Sequence, residues 1–307
     1  MADQMKQSPS HNKWITYTIT EAWANRTVEE VLKGPLLISG RMLNRLTRSK
    51  GILLNGRAPY LKKKVKTGDR LKVAVRPQEQ SELTPEPVPF GLIYEDADLM
   101  IVDKPAGVAV HPVRPSDRGT LVHGILHHLT KQGRGGIVRP VHRLDRDTSG
   151  LILIAKNAYM HQLLDRQLRE KKLERVYLAL SGAPLPQASG TIVAPIGRDP
   201  HHPTRRQITE RGEPAITHYC VLNHNDQATL ARVELETGRT HQIRVHFAHI
   251  GAPLIGDRLY GGSCAHMKRQ ALHSAEMAFI HPLSGQLMRF TSPIPTDMAA
   301  TIEQLGL

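Results

Sequence analysis

Apolar residues recur along this chain at two spacings, and the switches between them predict where helices and strands fall. Between Ser39 and Lys50 the apolar positions Met42, Leu43 and Leu46 share one side of a helix, while Arg41, Arg45 and Arg48 project from the other. Ser39 is placed to cap it. After Gly51 the chain turns to short apolar pieces, Ile52 to Leu54 and Leu71 to Val75. They are separated by the turn pairs Asn55-Gly56 and Gly68-Asp69, and they read as short strands. Longer segments begin at Leu92. The run LMIVDKP at 99–105 is strand-like, and a helix follows Thr120 with Leu121, Val122, Ile125, Leu126 and Leu129 on one face. The apolar strand LILIA follows Gly150, and a second helix starting near Asn157 buries Met160, Leu163, Leu164 and Leu168. Further on, ETGRTHQIRVHFAHIG carries a helical apolar side at Ile243, Phe247 and Ile250, while GDRLYGG reads as a loop and RQALHSAEMAFIHPLSG as a strand. The alternation predicts a mixed α/β chain.

Charge divides this pattern into unequal parts. The segment from Arg26 to Arg76 holds fourteen Lys and Arg against Glu29, Glu30 and Asp69, a net of +11 out of the +13 carried by all 307 residues. Such a concentration marks a module that meets a polyanion. Arg41, Arg45 and Arg48 on the helix and Lys62, Lys63 and Lys64 after the turn are its candidate phosphate contacts. The stretch RPQEQSELTPEPVPF, with four prolines and three glutamates, reads as an extended linker. The expected organisation is an extension over 1–23, a basic module over 24–76, a linker over 77–89 and a second unit over 90–307. Aromatic residues make up only 4%, which argues against an aromatic-lined platform as the main binding surface. No apolar run of signal-peptide or membrane-span length occurs, so the expected location is cytoplasmic, with no membrane partner. Cys220 and Cys264 have neither metal-finger spacing nor the density of a secreted scaffold, and read as reduced thiols.

The densest chemistry lies in PVHRLDRDTSG, where a His, two Arg, two Asp, a Thr and a Ser lead directly into the buried strand LILIA. A polar loop anchored on such a strand is held rigidly at a cleft, where function concentrates. Two further segments, TGRTHQIRVH and GDRLYGG, are unusually polar for their neighbourhood.

Taken together, HRLDRDTSGLILIAK, ERVYLAL, TGRTHQIRVH, GDRLYGG and LHSAEMAFIHPLSG stand in the order found in the RluA-type pseudouridine synthases, and the resemblance covers nearly all of 90–297. The basic module, with KGILLNGR and KVKTGDRLKV, resembles the S-four type RNA-binding domain over roughly 24–76, so the whole chain looks most like the RluD-like branch. Two departures are visible: Arg175 stands where Lys is common before the tyrosine, and Ser274 where Ala is common after Leu-His. The resemblance implies an α+β fold with a mixed, largely antiparallel sheet. It further implies isomerisation of uridine in structured RNA to its carbon-linked form through an essential aspartate, with neither metal nor organic cofactor. Large-subunit ribosomal RNA is the favoured partner and transfer RNA the alternative; the protein is expected to act as a monomer.

By the same resemblance Asp145 is the reacting carboxylate, Arg244 its arginine partner and Tyr177 the active-site tyrosine. A carboxylate that adds covalently or stabilises an oxocarbenium-like centre suits this chemistry. Asp147, two residues on, reads instead as a turn cap. Leu272 lines the base pocket, and Arg143 fills the gap left when the nucleotide is extruded. His142 and Thr148, in the same loop, are assigned to substrate contact. Of the seventeen histidines, His123, His127 and His128, or His246 and His249, invite a metal reading, but neither spacing is completed by a further ligand. No Walker loop and no GxGxxG is present. Competing readings are a non-catalytic RNA-binding or ribosome-assembly factor and an aspartate-dependent glycoside hydrolase, the latter wanting a second carboxylate as general acid.

Overall fold

The computed structural model describes residues 13–307 apart from 78 and 115. Near the N-terminus three short strands, β1 (Ile15–Thr18), β2 (Ile52–Leu54) and β3 (Arg70–Val73), form an antiparallel sheet in the order β1-β3-β2. Two helices, α1 (Val28–Lys33) and α2 (Gly40–Arg48), pack on it through Val28, Val31, Leu32, Met42, Leu43 and Leu46. Ser39 caps α2, its hydroxyl accepting the Met42 amide at 3.4 Å. The turn residue Asn55 accepts the Arg70 amide at 2.8 Å and donates to Asp69 at 2.8 Å, which locks the two predicted turns together.

The larger unit runs β4 (Gly91–Glu95), β5 (Leu99–Lys104), α3 (Leu121–Lys131), β6 (Arg139–Pro140), β7 (Ser149–Ala155), α4 (Ala158–Arg169) and β8 (Glu174–Ser181). Then follow β9 (Ser189–Val193), β10 (Ile196–Arg198), β11 (Arg206–Ile208), β12 (Ile216–His224), β13 (Thr229–Leu235), α5 (Gln242–His249), β14 (Leu272–Ile280), β15 (Leu287–Thr291) and α6 (Thr296–Gln304). Its main sheet has the order β4-β5-β7-β14-β8-β13-β12-β9, with β6 on β7 and β15 on β14. Every pairing in it is antiparallel except β7 with β14. This is the expected mixed, largely antiparallel sheet.

Strand periodicity explains the layering. Along β5 and β7, Leu99, Ile101, Leu151, Leu153 and Ala155 enter one core, whereas Met100, Val102, Ile152 and Ile154 enter the other. The second core is closed by α3 and α5. The first contains α4, through Tyr159, Met160, Leu163 and Leu164, and is continuous with the core of the N-terminal unit. Polar contacts reinforce that seam. The Tyr159 hydroxyl donates to the Leu36 carbonyl at 2.7 Å, and Arg76 grips Asp98 through two hydrogen bonds of 2.6 Å.

Two expected boundaries shift as a result. The small sheet takes in Ile15–Thr18, so the first unit starts well before residue 24; residues 1–12 of the expected extension lie outside the described residues. The segment expected as a linker does not hang free. Glu79 pairs with Arg45 at 3.2 Å and Arg139 at 2.9 Å, Glu86 accepts the Gly119 amide at 2.8 Å, and Leu83 and Phe90 pack on the second core. The described part of the proline-rich sequence forms neither helix nor strand, and its side chains make it a strap. Val88 lies so close to α3 that a β-carbon on Gly124 would meet its carbonyl oxygen at 2.5 Å.

That contact yields a test. In a free helix Gly→Ala is stabilising by roughly 1 kcal/mol. Here Gly124→Ala has to displace the strap and should destabilise the protein by about 1–3 kcal/mol, as overpacking does. Thermal unfolding should show a lowered midpoint, and a raised one would mean that the strap is not held against α3.

Candidate active site

The polar loop between β6 and β7 is fixed from below by groups of the sheet. Thr148 N–H closes its turn on the Asp145 carbonyl at 3.2 Å. Lys104, fully buried at the end of β5, donates to the carbonyls of Pro105, Val108 and Arg146 at 2.8–2.9 Å. Burial pulls its ammonium down to about 8, against the opposing charges of Asp147 and Asp145. From the other side Arg269 donates to the Asp147 carbonyl at 3.0 Å, and Gln270 to the Thr148 hydroxyl at 3.2 Å. The loop ends at Gly150, with φ +108°, where a β-carbon would lie 2.2 Å from the Ser274 carbonyl oxygen. Only glycine allows β7 to run beside β14 there. The expected cap through the Asp147 side chain is not formed among the described residues. The turn is closed by backbone, and the Asp147 carboxylate acts on Lys104 by charge.

Above this loop the Asp145 carboxylate meets a guanidinium held by a second acid. Arg244, in the first turns of α5, sends Nε and Nη2 to the two carboxylate oxygens of Asp257 at 2.6 and 2.8 Å, and Nη1 to Asp145 Oδ2 at 3.0 Å. Burial opposes its charge, but Asp257 and Asp145 outweigh that and raise its pKa. The guanidinium carbon lies 5.0 Å from the centre of the Tyr260 ring. His241, just before α5, stands 3.8 Å from Asp145 Oδ2.

A cavity of about 660 Å³ opens over Asp145, and Asp145, Tyr177, Arg244, Arg143, Leu272, His142 and Thr148 all line it. The loop, β8, α5 and β14 therefore converge on one place. Tyr177 and Leu272 are buried and supply flat and apolar wall; burial raises the Tyr177 hydroxyl, with Arg175 and Ser274 acting the other way. Arg143 is exposed at the mouth. His142 and Thr148 are held by the protein itself. His142 Nε2 accepts the Leu153 amide at 3.3 Å, and burial, helped by the charge of Arg175, drives the ring down to about 3, so it is neutral. Thr148 is committed to Gln270.

The six basic residues singled out in the N-terminal unit stand apart from the cavity. Arg41, Arg48, Lys62, Lys63 and Lys64 are exposed, whereas Arg45 is half-buried and turned onto Glu79 of the strap. The histidines considered for metal have other partners: His123 bonds Thr120 at 2.7 Å, His128 bonds Glu95 at 2.8 Å, and His246 lies between Thr217 Oγ1 and the Ala194 carbonyl. Among the described residues no three His, Cys, Asp or Glu are grouped to hold a metal ion.

Sequence reasoning passes over Asp257, Tyr260, His241 and Lys104. Asp257 and Tyr260 sit in GDRLYGG and His241 in TGRTHQIRVH, so both motifs are visible in the sequence, but their pairing is long-range. Arg175 stands out there only as a departure from the usual Lys. It is 6% exposed, lines the cavity beside Tyr177, and its Nε is buried without a hydrogen-bond partner.

The chain is similar to known proteins. Residues 98–249 match the family described as RNA pseudouridylate synthase, and residues 15–71 match the RluD ribosomal pseudouridine synthase N-terminal domain. The RNA pseudouridine synthase YhcT of Bacillus subtilis (strain 168) is 44% identical over 236 residues, 76% of this chain and 78% of that protein. Ribosomal large subunit pseudouridine synthase D of Escherichia coli (strain K12) is 37% identical over 270 residues, 82% of each chain. The solved structure of human RNA pseudouridylate synthase domain containing 1 aligns with a TM-score of 0.57 over 69% of this chain and 86% of that one. At 24% identity it speaks for the fold alone. By the extent of these matches the chain belongs to the RNA pseudouridine synthase family, carrying an RluD-type N-terminal unit.

Proposed function

We propose that the protein isomerises uridines in structured RNA, large-subunit ribosomal RNA first among them, with Asp145 as the reacting carboxylate. The observation that carries this reading is the Asp145 side chain, set in the cavity with one oxygen engaged by Arg244. The reaction breaks the C1′–N1 bond, joins C1′ to C5, and moves a proton from C5 to N1. Atoms and electrons balance within the nucleotide, so neither oxidant nor group donor is called for. Asp145 attacks or stabilises the sugar centre, Arg244 keeps its charge matched, Tyr177 and Leu272 flank the base, and Arg143 enters the helix in place of the extruded nucleotide. His142 and Thr148 shape the wall rather than bind substrate directly. The name of the Escherichia coli relative favours the ribosomal target.

Arg41, Arg48, Lys62, Lys63 and Lys64 hold RNA through its phosphates, with Arg45 serving the strap. All the groups assigned to the reaction come from this one chain, and the protein is taken to act as a monomer. No helix among the described residues is long and apolar enough to cross a membrane. The protein acts where its RNA is, in the cytoplasm.

Three outcomes test this reading. Asp145→Asn preserves shape and removes the charged carboxylate, so pseudouridine formation in single turnover should fall by roughly a thousandfold or more. A rate within about tenfold of wild type would exclude Asp145 as the reacting group. Arg244→Ala should slow conversion equally for a stem-embedded uridine and for one in an unstructured strand, whereas Arg143→Ala should be partly rescued by the unstructured strand, where unstacking costs less. Equal defects on both substrates for both variants would remove the extrusion role of Arg143. Replacing Arg41, Arg48, Lys62, Lys63 and Lys64 with Gln should weaken binding to a long structured RNA and flatten its log–log salt dependence by ~0.7–0.9 for each phosphate no longer neutralised. An unchanged slope would show these charges to be merely solvated. Deleting the unit is a poorer test, because its core is shared with the catalytic sheet.

A further inference from the structure

Asp145 is a carboxylate with two chemically equivalent oxygens, and the protein treats them differently. Oδ2 accepts from Arg244 Nη1 at 3.0 Å and faces His241 Nε2 at 3.8 Å. Oδ1 has no hydrogen-bond partner among the described residues. A single hydrogen bond from Arg244 is a pivot about which the carboxylate can turn. A second donor on the same side defines its plane. We propose that His241 is a positioning residue that, with Arg244, holds Oδ2 and presents Oδ1 to the substrate. This deepens the proposed function and rests on Asp145 being the reacting group.

The surroundings of His241 bear this out. It sits at the N-cap of α5 with φ +60° and ψ +19°, a left-handed conformation that side-chain-bearing residues rarely adopt. Strain of this kind is kept where the surrounding structure enforces it. The imidazole is held by Tyr260. Its hydroxyl lies 2.8 Å from His241 Nδ1 and accepts the backbone N–H of Arg206 at 2.9 Å. With the oxygen occupied by that amide, the phenolic proton is directed to Nδ1, which becomes an acceptor. The one proton of a neutral ring then sits on Nε2, the nitrogen facing Asp145.

Neutrality is consistent with the site. Burial lowers the proton affinity of His241, the charges of Arg244 and Arg206 act the same way, and Asp145 and Asp257 oppose them. The rings of His241 and Tyr260 meet edge to face, 5.7 Å apart at 82°. The Arg244 guanidinium lies over the same Tyr260 ring. Tyr260 thus supports both donors that address Oδ2, and strand β11 anchors Tyr260. The 3.8 Å gap is longer than a hydrogen bond; catalytic contacts of this kind shorten once substrate excludes water.

The test uses the full chain and compares His241→Gln with His241→Phe. Both occupy the same strained backbone, but Gln carries an amide donor near the position of Nε2 and Phe carries none. On an RNA that wild type converts, and that Asp145→Asn does not, single-turnover conversion should stay within about threefold for His241→Gln. It should fall by about a hundredfold for His241→Phe, as misplacement of a reacting group does, with RNA affinity unchanged in both. Nitrogen-15 spectra of histidine-labelled protein should assign to His241 a neutral ring protonated on Nε2, giving way to mixed tautomers in Tyr260→Phe. Equal rates for the two variants, or a ring protonated on Nδ1, overturn the role of His241. Wild-type protein that forms no pseudouridine instead removes the reading of Asp145 on which the proposal rests, while the spectra still report the ring.

Discussion

Arg244 carries its charge into a cavity wall where only 9% of its side chain meets solvent, and a guanidinium so placed must be matched by acids or the site does not hold. Asp257 takes two of its nitrogens in the side-on geometry that suits arginine, which leaves Nη1 aimed in one direction. That direction is Asp145. Helix α5 and the loop after Gly256 lie about a hundred residues beyond the polar loop before β7, and this ion group makes the positions of all three mutually dependent.

What lies beneath is rigid for a different reason. Strand β7 is buried along its whole length, and its alternate side chains feed two separate cores, so the loop that precedes it cannot drift without disturbing both. Lys104 contributes by donating three hydrogen bonds to backbone carbonyls, one of them in the polar loop itself. The Asp145 side chain therefore stands on a base fixed by apolar packing and is oriented by charge from above.

Local pattern made much of this legible. The capped helix at Ser39, the helices after Thr120 and Asn157, the strands at 99–104 and 149–155 and the convergence of Asp145, Tyr177 and Arg244 all follow from short stretches read on their own terms or by resemblance. Asp257, Tyr260 and His241 were not legible because their roles are relations between segments, and no spacing within GDRLYGG announces that its aspartate clamps an arginine of α5. Asp147 misled for the opposite reason: local preference favoured a side-chain cap, and the backbone closed the turn without it. The early strand Ile15–Thr18 is not legible locally, because it is short and its partner lies some fifty residues downstream. The prolines of the strap announce a linker, while Glu79, Leu83 and Glu86 decide where it is attached.

The continuous core joining the N-terminal unit to the main sheet bears on how the chain is made. Residues 15–75 are synthesised before Leu99, Tyr159 and Leu164 and long before Phe279 and Leu283, all of which belong to the same core. At ~5–20 residues per second, the roughly two hundred residues in between take ~10–40 s to synthesise. For that interval a basic, partly bare domain is held beside the ribosome, itself rich in RNA.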